Sequence, residues 1–193
     1  MANYAASNPG RLNVELLHFY KCVPAELMSL VVAPLLIGGI IIATDKVPFP
    51  YFVAPAISVA VAIALLRFPF WLFQSGNVCP AIVIDAEQQL IAVFTDLTKG
   101  DDSYPAVFVT SAPLKKMTGG PFQRGNKICF ATGYLGGNSD SWEQIKGYPI
   151  NCGTTSSKQI ENRLKTLSDE DWLEAEQVIA NLSKPYKKGL IRL

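Results

Sequence analysis

Histidine is nearly missing from this chain: of 193 residues only His18 carries an imidazole. Any mechanism that needs two histidines is therefore excluded. Charge is also scarce, with 17% Asp, Glu, Lys and Arg against about 25% in an average soluble domain. No excess of either sign compensates, because 17 basic residues face 16 acidic ones. A formal net charge of +1 gives no electrostatic reason to expect nucleic acid as a partner. The four cysteines, Cys22, Cys79, Cys129 and Cys152, contain no CxxC and no zinc-knuckle spacing, and their simplest reading is reduced, buried thiols. Glycine-rich stretches occur at Thr118-Gly119-Gly120-Pro121 and Gly136-Gly137-Asn138. Neither matches a P-loop or a dinucleotide fingerprint, so both read as turns.

What the chain does have is apolar length. Residues Leu27 to Thr44 and Val47 to Leu66 carry no formal charge. As helices these runs reach roughly 27 and 30 Å, close to a hydrocarbon core of about 30 Å. The link, Asp45-Lys46-Val47-Pro48-Phe49-Pro50, is a tight turn. Together they predict an antiparallel transmembrane hairpin. Phe19 and Tyr20 stand before it, and Phe68, Phe70, Trp71 and Phe73 after it, as aromatic belts do at a membrane–water interface. Arg11, Lys21 and Arg67 flank the hairpin and only Lys46 lies in its turn, which predicts both termini on the cytoplasmic side. Small residues mark its packing faces: Gly38 and Gly39 in the first helix, and Ala56, Ala60 and Ala64 at every fourth residue in the second. Such rows let helices approach closely. Ahead of the hairpin, residues 11–23 read as a short amphipathic helix, with Leu12, Leu16, Phe19 and Val23 on one face and Arg11, Glu15 and His18 on the other.

Beyond Gly76 the chain changes character. Residues 77–193 hold 13 basic and 13 acidic residues. Val78–Ile84, Leu90–Asp96, Ala106–Ser111 and Lys127–Gly133 are strand-length runs rich in Val, Ile and Phe, and Tyr148–Cys152 is a candidate fifth. Pro80 argues for an edge position for the first of them. Thr155 or Ser156 is placed to cap a helix to about Leu167. Ser168, followed by Asp169, Glu170 and Asp171, is placed to cap a second helix that Pro185 stops. The basic tail from Lys184 to Leu193 reads as a solvated end. The expected architecture is an α+β membrane protein: a juxtamembrane segment (1–22), a transmembrane hairpin (23–75), and a small β-barrel-like domain of SH3 or OB type with two C-terminal helices (76–193).

The order Gly76-Asn77-Val78-Cys79-Pro80, Leu90 to Thr98, Tyr104-Pro105-Ala106-Val107, Gly125-Asn126-Lys127, Tyr148-Pro149-Ile150-Asn151-Cys152-Gly153-Thr154 and Asp171-Trp172 resembles a bacterial family of uncharacterised proteins. That family is a domain of unknown function often preceded by membrane spans. The resemblance covers roughly residues 76–180 and implies one folding unit from Gly76 onward. It transfers no catalytic residues.

Candidate chemistry is thin. Cys152 precedes an expected helix start, where a thiol becomes more acidic, but pairing it with His18 requires the N-terminal segment to fold back. Asp96, Asp101 and Asp102 lack calcium-loop spacing and suit a solvated turn. Asn181-Leu182-Ser183 matches a glycosylation sequon that a cytoplasmic position makes irrelevant. No cofactor or metal is implied. The reading favoured by these residues is a membrane-anchored, non-enzymatic binding or assembly module, a small subunit or accessory protein of a larger complex in a bacterial inner or a thylakoid membrane. Its partners would be the bilayer and another membrane protein or a second copy. A subunit of an oligomeric channel and a membrane-tethered thiol enzyme using Cys152 are the alternatives.

Overall fold

A computed structural model describes residues 8–28, 32, 36, 53–100 and 102–193. Its centre follows from one run of sequence. Asn77–Asp85 is apolar at nearly every interior position, as suits a strand covered on both faces. It forms β1 and is buried along its length. β2 (Leu90–Asp96) pairs with it across a tight turn, β3 (Pro105–Ser111) pairs with β2, β4 (Lys127–Leu135) returns to the other side of β1, and β5 (Gln144–Pro149) pairs with β4. A sixth strand, β6 (Gly189–Arg192), lies on β3. All pairings are antiparallel, and the order is β5-β4-β1-β2-β3-β6. The sheet curls into a half-barrel with β5 and β6 as its two ends, an open form of the small barrel-like domain expected from sequence.

Side chains alternate across this sheet as the strand period requires. Val83, Ile91 and Val93 enter one cluster with Ile128 and Phe130. Ile82, Ile84, Leu90, Ala92, Val107 and Val109 enter a second cluster on the opposite face. The second face is covered by α5 (Asp169–Ala180) through Ala175 and Ile179. The first is covered by α1 (Leu16–Cys22), the end of α2 (Val53–Ser75), the short α3 (Ile150–Gly153) and α4 (Ser157–Leu164).

Both predicted C-terminal caps are present. Ser156 Oγ accepts from Gln159 N at 3.4 Å, and Ser168 with Asp171 closes a reciprocal capping box, satisfying N–H groups that the first turn leaves unpaired. Helix α4 ends at Leu164, three residues short of the expected Leu167.

Four further expectations need correction. Pro80 is not on an edge strand: β1 is central. Val83 N donates to Asn126 O on the β4 side, so by alternation the Pro80 nitrogen faces β2, where pairing begins only at Ala81. The missing N–H therefore removes no rung. The fifth strand ends at Pro149, and Ile150–Gly153 turns helical instead of continuing to Cys152. The basic tail is not a free end, because Leu190 and Ile191 pair with Phe108 and Val107. The N-terminal helix spans only Leu16–Cys22.

The core also crosses the expected boundary at Gly76. Leu12 and Phe19, ahead of the predicted hairpin, and Leu72 and Phe73, at the end of α2, are fully buried in the first cluster. Backbone bonds tie the two segments together: Gly10 N to Gly76 O, Arg11 N to Gln74 O and Leu12 N to Phe73 O, at 2.9–3.1 Å. Glycine makes this docking possible at two points. A Cβ on Gly153 would stand 2.7 Å from Leu12 Cδ2, and one on Gly133 would stand 3.1 Å from Leu72 Cδ1.

Among the described residues no helix is long and apolar enough to cross a membrane. In α2 the last two turns are docked on the sheet, and the apolar part ahead of the exposed Arg67 amounts to roughly 21 Å. The first predicted span and its turn lie almost wholly outside the described residues, as do Gly38 and Gly39.

Candidate functional site

The fold-back that a Cys–His pair required is present. Glu15 anchors it. Its backbone N–H donates to Gly153 O at 2.8 Å, and its carboxylate accepts from Thr154 Oγ1, Thr155 N and Thr155 Oγ1 at 2.7–2.9 Å. Those bonds, the Thr155 N–H first, hold the Glu15 carboxyl below its ordinary value of 4.5. With Glu15 fixed at the start of α1, residues three and seven positions on fall one and two turns further along the same helix. They are His18 and Cys22, and both meet α3. Phe19 seals the contact with edge-to-face rings against Phe73 and Tyr148, at centroid distances of 5.7 and 5.1 Å.

His18 Nε2 lies 3.1 Å from Asn151 O, 3.2 Å from Thr118 Oγ1 and 3.6 Å from Cys22 Sγ. A carbonyl oxygen only accepts, so the contact with Asn151 O places a proton on Nε2. Asn151 braces the loop after β3: its Nδ2 donates to Thr118 O at 2.8 Å, and Thr118 N donates to Asn151 O at 3.1 Å. Its Oδ1 is buried without a partner. Cys22 Sγ donates to Lys116 O at 3.2 Å.

The two thiols at this junction, Cys22 and Cys152, are both buried in the first cluster. The influence of Cys152 first, then the charges of His18 and Lys116, lower the Cys22 thiol to about 7 despite its burial. The influence of Cys22 and burial push Cys152 well above 9. Cys152, weighed from sequence as a nucleophile against a buried structural cysteine, is buried and held in its thiol form. Sequence reasoning assigned Cys22 only a membrane flank, because nothing local connects residues 22 and 152.

The remaining thiols behave differently. Cys129 is raised to about 12 by burial. Cys79 Sγ donates to Thr95 Oγ1 at 3.4 Å within a network that includes Thr132 and Tyr134. Asp96 serves its turn. Burial opposes its ionisation, but bonds from Thr98, Tyr104 N and Ser103 outweigh that and lower it. Asp102 lends Thr98 only its backbone oxygen, and Asp101 lies outside the described residues. Gly119, Gly136 and Gly137 have positive φ angles of 92°, 67° and 89°, which is what turns ask of glycine.

A second feature lies where α1 and α2 leave the sheet. Leu27, Met28, Phe70 and Trp71 are exposed there, Trp71 to 52%, and Leu17 on α1 and Val59 and Ile63 along α2 are open as well. The two exits are neighbours, since Lys146 Nζ stands 3.7 Å from Glu26 Oε1 and 4.9 Å over the Phe68 ring. Tyr148 Oη also donates to Glu26. Lys21 and Arg67 are exposed at the same exits. Of the predicted packing residues, Ala56 and Ala60 are exposed on α2, and Ala64 lies on the same helix.

A curled antiparallel half-barrel with helices packed on both faces defines the class. The chain belongs to the protein family of unknown function DUF3239, whose profile matches residues 70–183. The crystal structure of a Corynebacterium diphtheriae protein, provisionally named a membrane protein, shares the fold at 20% identity and a TM-score of 0.50, covering 60% of this chain and 99% of its own. No curated protein matches the chain.

Proposed function

We propose that this protein is a membrane-anchored, non-enzymatic binding or assembly module, held by an N-terminal helical hairpin with both termini on the cytoplasmic side. The observation that carries the reading is the exposure of Leu27 and Met28 at one chain exit and of Phe70 and Trp71 at its neighbour, beside Lys21 and Arg67, with Val59 and Ile63 exposed further along α2. Large apolar side chains clustered in this way mark a contact surface. Tryptophan with arginine and lysine is the composition that sits at a bilayer interface. The uncharged runs 27–44 and 47–66 lie between those exits, and neighbouring exits are what a hairpin needs. The small residues Ala56, Ala60 and Ala64, with Gly38 and Gly39, would then pack the hairpin or meet the helix of another membrane protein or a second copy.

Carbonate extraction of membranes is expected to leave the protein in the pellet, and release into the supernatant overturns the anchor. A cysteine placed at Ser183 in a background without native thiols should be labelled only after permeabilisation. Labelling in intact spheroplasts reverses the topology. Ala60→Leu should lower recovery of co-purifying membrane protein from mild detergent while near-ultraviolet dichroism of the half-barrel is unchanged.

A further inference from the structure

We propose that the end of the half-barrel from which α1 and α2 leave is a docking face for anionic phospholipid. Lys21, Arg67, Lys115, Lys116 and Lys146 meet headgroup phosphates, while Leu27, Met28, Phe70 and Trp71 enter the acyl boundary. This rests on the anchor proposed above and adds to it the class of lipid and the way the half-barrel sits on the leaflet.

Printed contacts of the fold gather these cations. Lys21 is the penultimate residue of α1. Cys22, which follows it, donates from Sγ to Lys116 O at 3.2 Å. That bond holds the loop after β3, with Lys115 and Lys116, against the first exit. Lys146 on β5 stands 3.7 Å from Glu26 Oε1 and 4.9 Å over the Phe68 ring. It thus joins the first exit to the second, where Arg67 precedes Phe68. All five cations are exposed. The carboxylate that shares this end, Glu26, already faces Lys146 and accepts from the Tyr148 hydroxyl. Glu15 is engaged at the other end of α1 by Thr154 and Thr155.

The whole chain has 17 basic and 16 acidic residues, so five cations around one paired carboxylate leave the remainder acidic. A nearly neutral protein therefore has a basic pole, and that pole coincides with exposed Leu27, Met28, Phe70 and Trp71. A soluble acidic partner answers only the charge. A leaflet that is anionic at its surface and apolar beneath answers both. Position supplies the proximity. Glu26 immediately precedes the uncharged run from Leu27, and Lys146 is paired with it. On the anchor reading these cations lie within the roughly 10 Å over which a charged surface acts at about 0.1 M salt.

The test reconstitutes the full-length protein into vesicles of phosphatidylcholine alone, or of phosphatidylcholine and phosphatidylglycerol in equal parts. Amines are acetylated with membrane-permeant acetic anhydride, so that both orientations react, and each site is read by mass spectrometry. Lys21, Lys115, Lys116 and Lys146 should react about fivefold more slowly in the anionic vesicles, and high salt should remove the difference. Lys184 and Lys187 border α5 on the opposite face of the sheet and should react alike in both. Lys115→Gln combined with Lys116→Gln changes two exposed side chains. It should leave near-ultraviolet dichroism intact and reduce the protection of Lys21 and Lys146 about fivefold or more. Equal acetylation of the wild type in the two compositions overturns the proposal. So does unchanged protection in the folded double variant, or protection in both compositions that grows with protein density, which assigns the face to a second copy. If the double variant does not fold, the wild-type comparison decides alone. Co-flotation separates this claim from the anchor. Protein that floats with both vesicles without lipid-dependent protection refutes the docking face alone, and protein that floats with neither removes the anchor as well.

Discussion

Replacing Phe19 with alanine tests whether the N-terminal segment belongs to the core of the half-barrel. The side chain is fully buried and makes edge-to-face contacts with Tyr20, Phe73 and Tyr148 at 5.2, 5.7 and 5.1 Å. Truncating a buried phenylalanine costs about 3–5 kcal/mol, through lost transfer energy and the cavity left behind. The aromatic geometry places this site in the upper half of that range. Four kcal/mol is a large part of the roughly 5–15 kcal/mol that stabilises a domain. For a chain of this size it corresponds to a fall in melting temperature of about 12 °C. The assay is thermal unfolding of the full chain in mild detergent, followed by near-ultraviolet dichroism. Leu17→Ala, two residues away and 83% exposed, is the matched control and should change stability by less than about 0.5 kcal/mol. If Phe19→Ala costs under about 1 kcal/mol, α1 is not part of the core, and the docking of Leu12, Cys22, Leu72 and Phe73 around it loses its support.

The anchor for the same helix has a pH signature. Glu15 ionises more readily folded than unfolded, so between its lowered folded value and 4.5 the unfolded chain binds more protons and stability rises with pH. Its contribution is complete above that window and is lost as pH falls through the folded value. Glu15→Gln should cost about 1 kcal/mol at pH 7, held to that by the exposure of the carboxylate. The difference from wild type should shrink below pH 4.5 in denaturant titrations, and a difference independent of pH would show that the charge plays no part. Gly147→Ala should cost about 2–3 kcal/mol in equilibrium unfolding, because the new Cβ would stand 2.1 Å from Ala131 O and 2.5 Å from Phe130 Cε1. A near-neutral result would mean that β5 shifts freely against β4.

Local structure was largely legible in the sequence, because local structure depends on near neighbours. Ser156 and Ser168 cap the helices they were expected to cap, since a cap needs only its own next three residues. Four of the six strands stood out as Val, Ile and Phe runs between turns. Ser168-Asp169-Glu170-Asp171 and Trp172, Ala175 and Ile179 gave the start and the buried face of α5. β6 was missed because four residues carry no usable period, and only the edge of β3 makes Gly189–Arg192 a strand. Pro80 misled because its nitrogen faces a gap in the ladder, a fact that register alone supplies.

The candidate site was the least legible part. Composition determined that this protein has a single imidazole and four unspaced cysteines, and the apolar runs determined where a membrane anchor would lie. That His18, Cys22 and Cys152 share one junction was decided by tertiary structure alone. The contact is made by burial of Leu12, Phe19, Phe73 and Ile150 in one cluster and by Glu15 bonding to Thr154 and Thr155. The hydrophobic effect that drives such a cluster is non-directional. It reveals which residues are to be buried, and only the packed fold reveals which distant thiols that burial brings together.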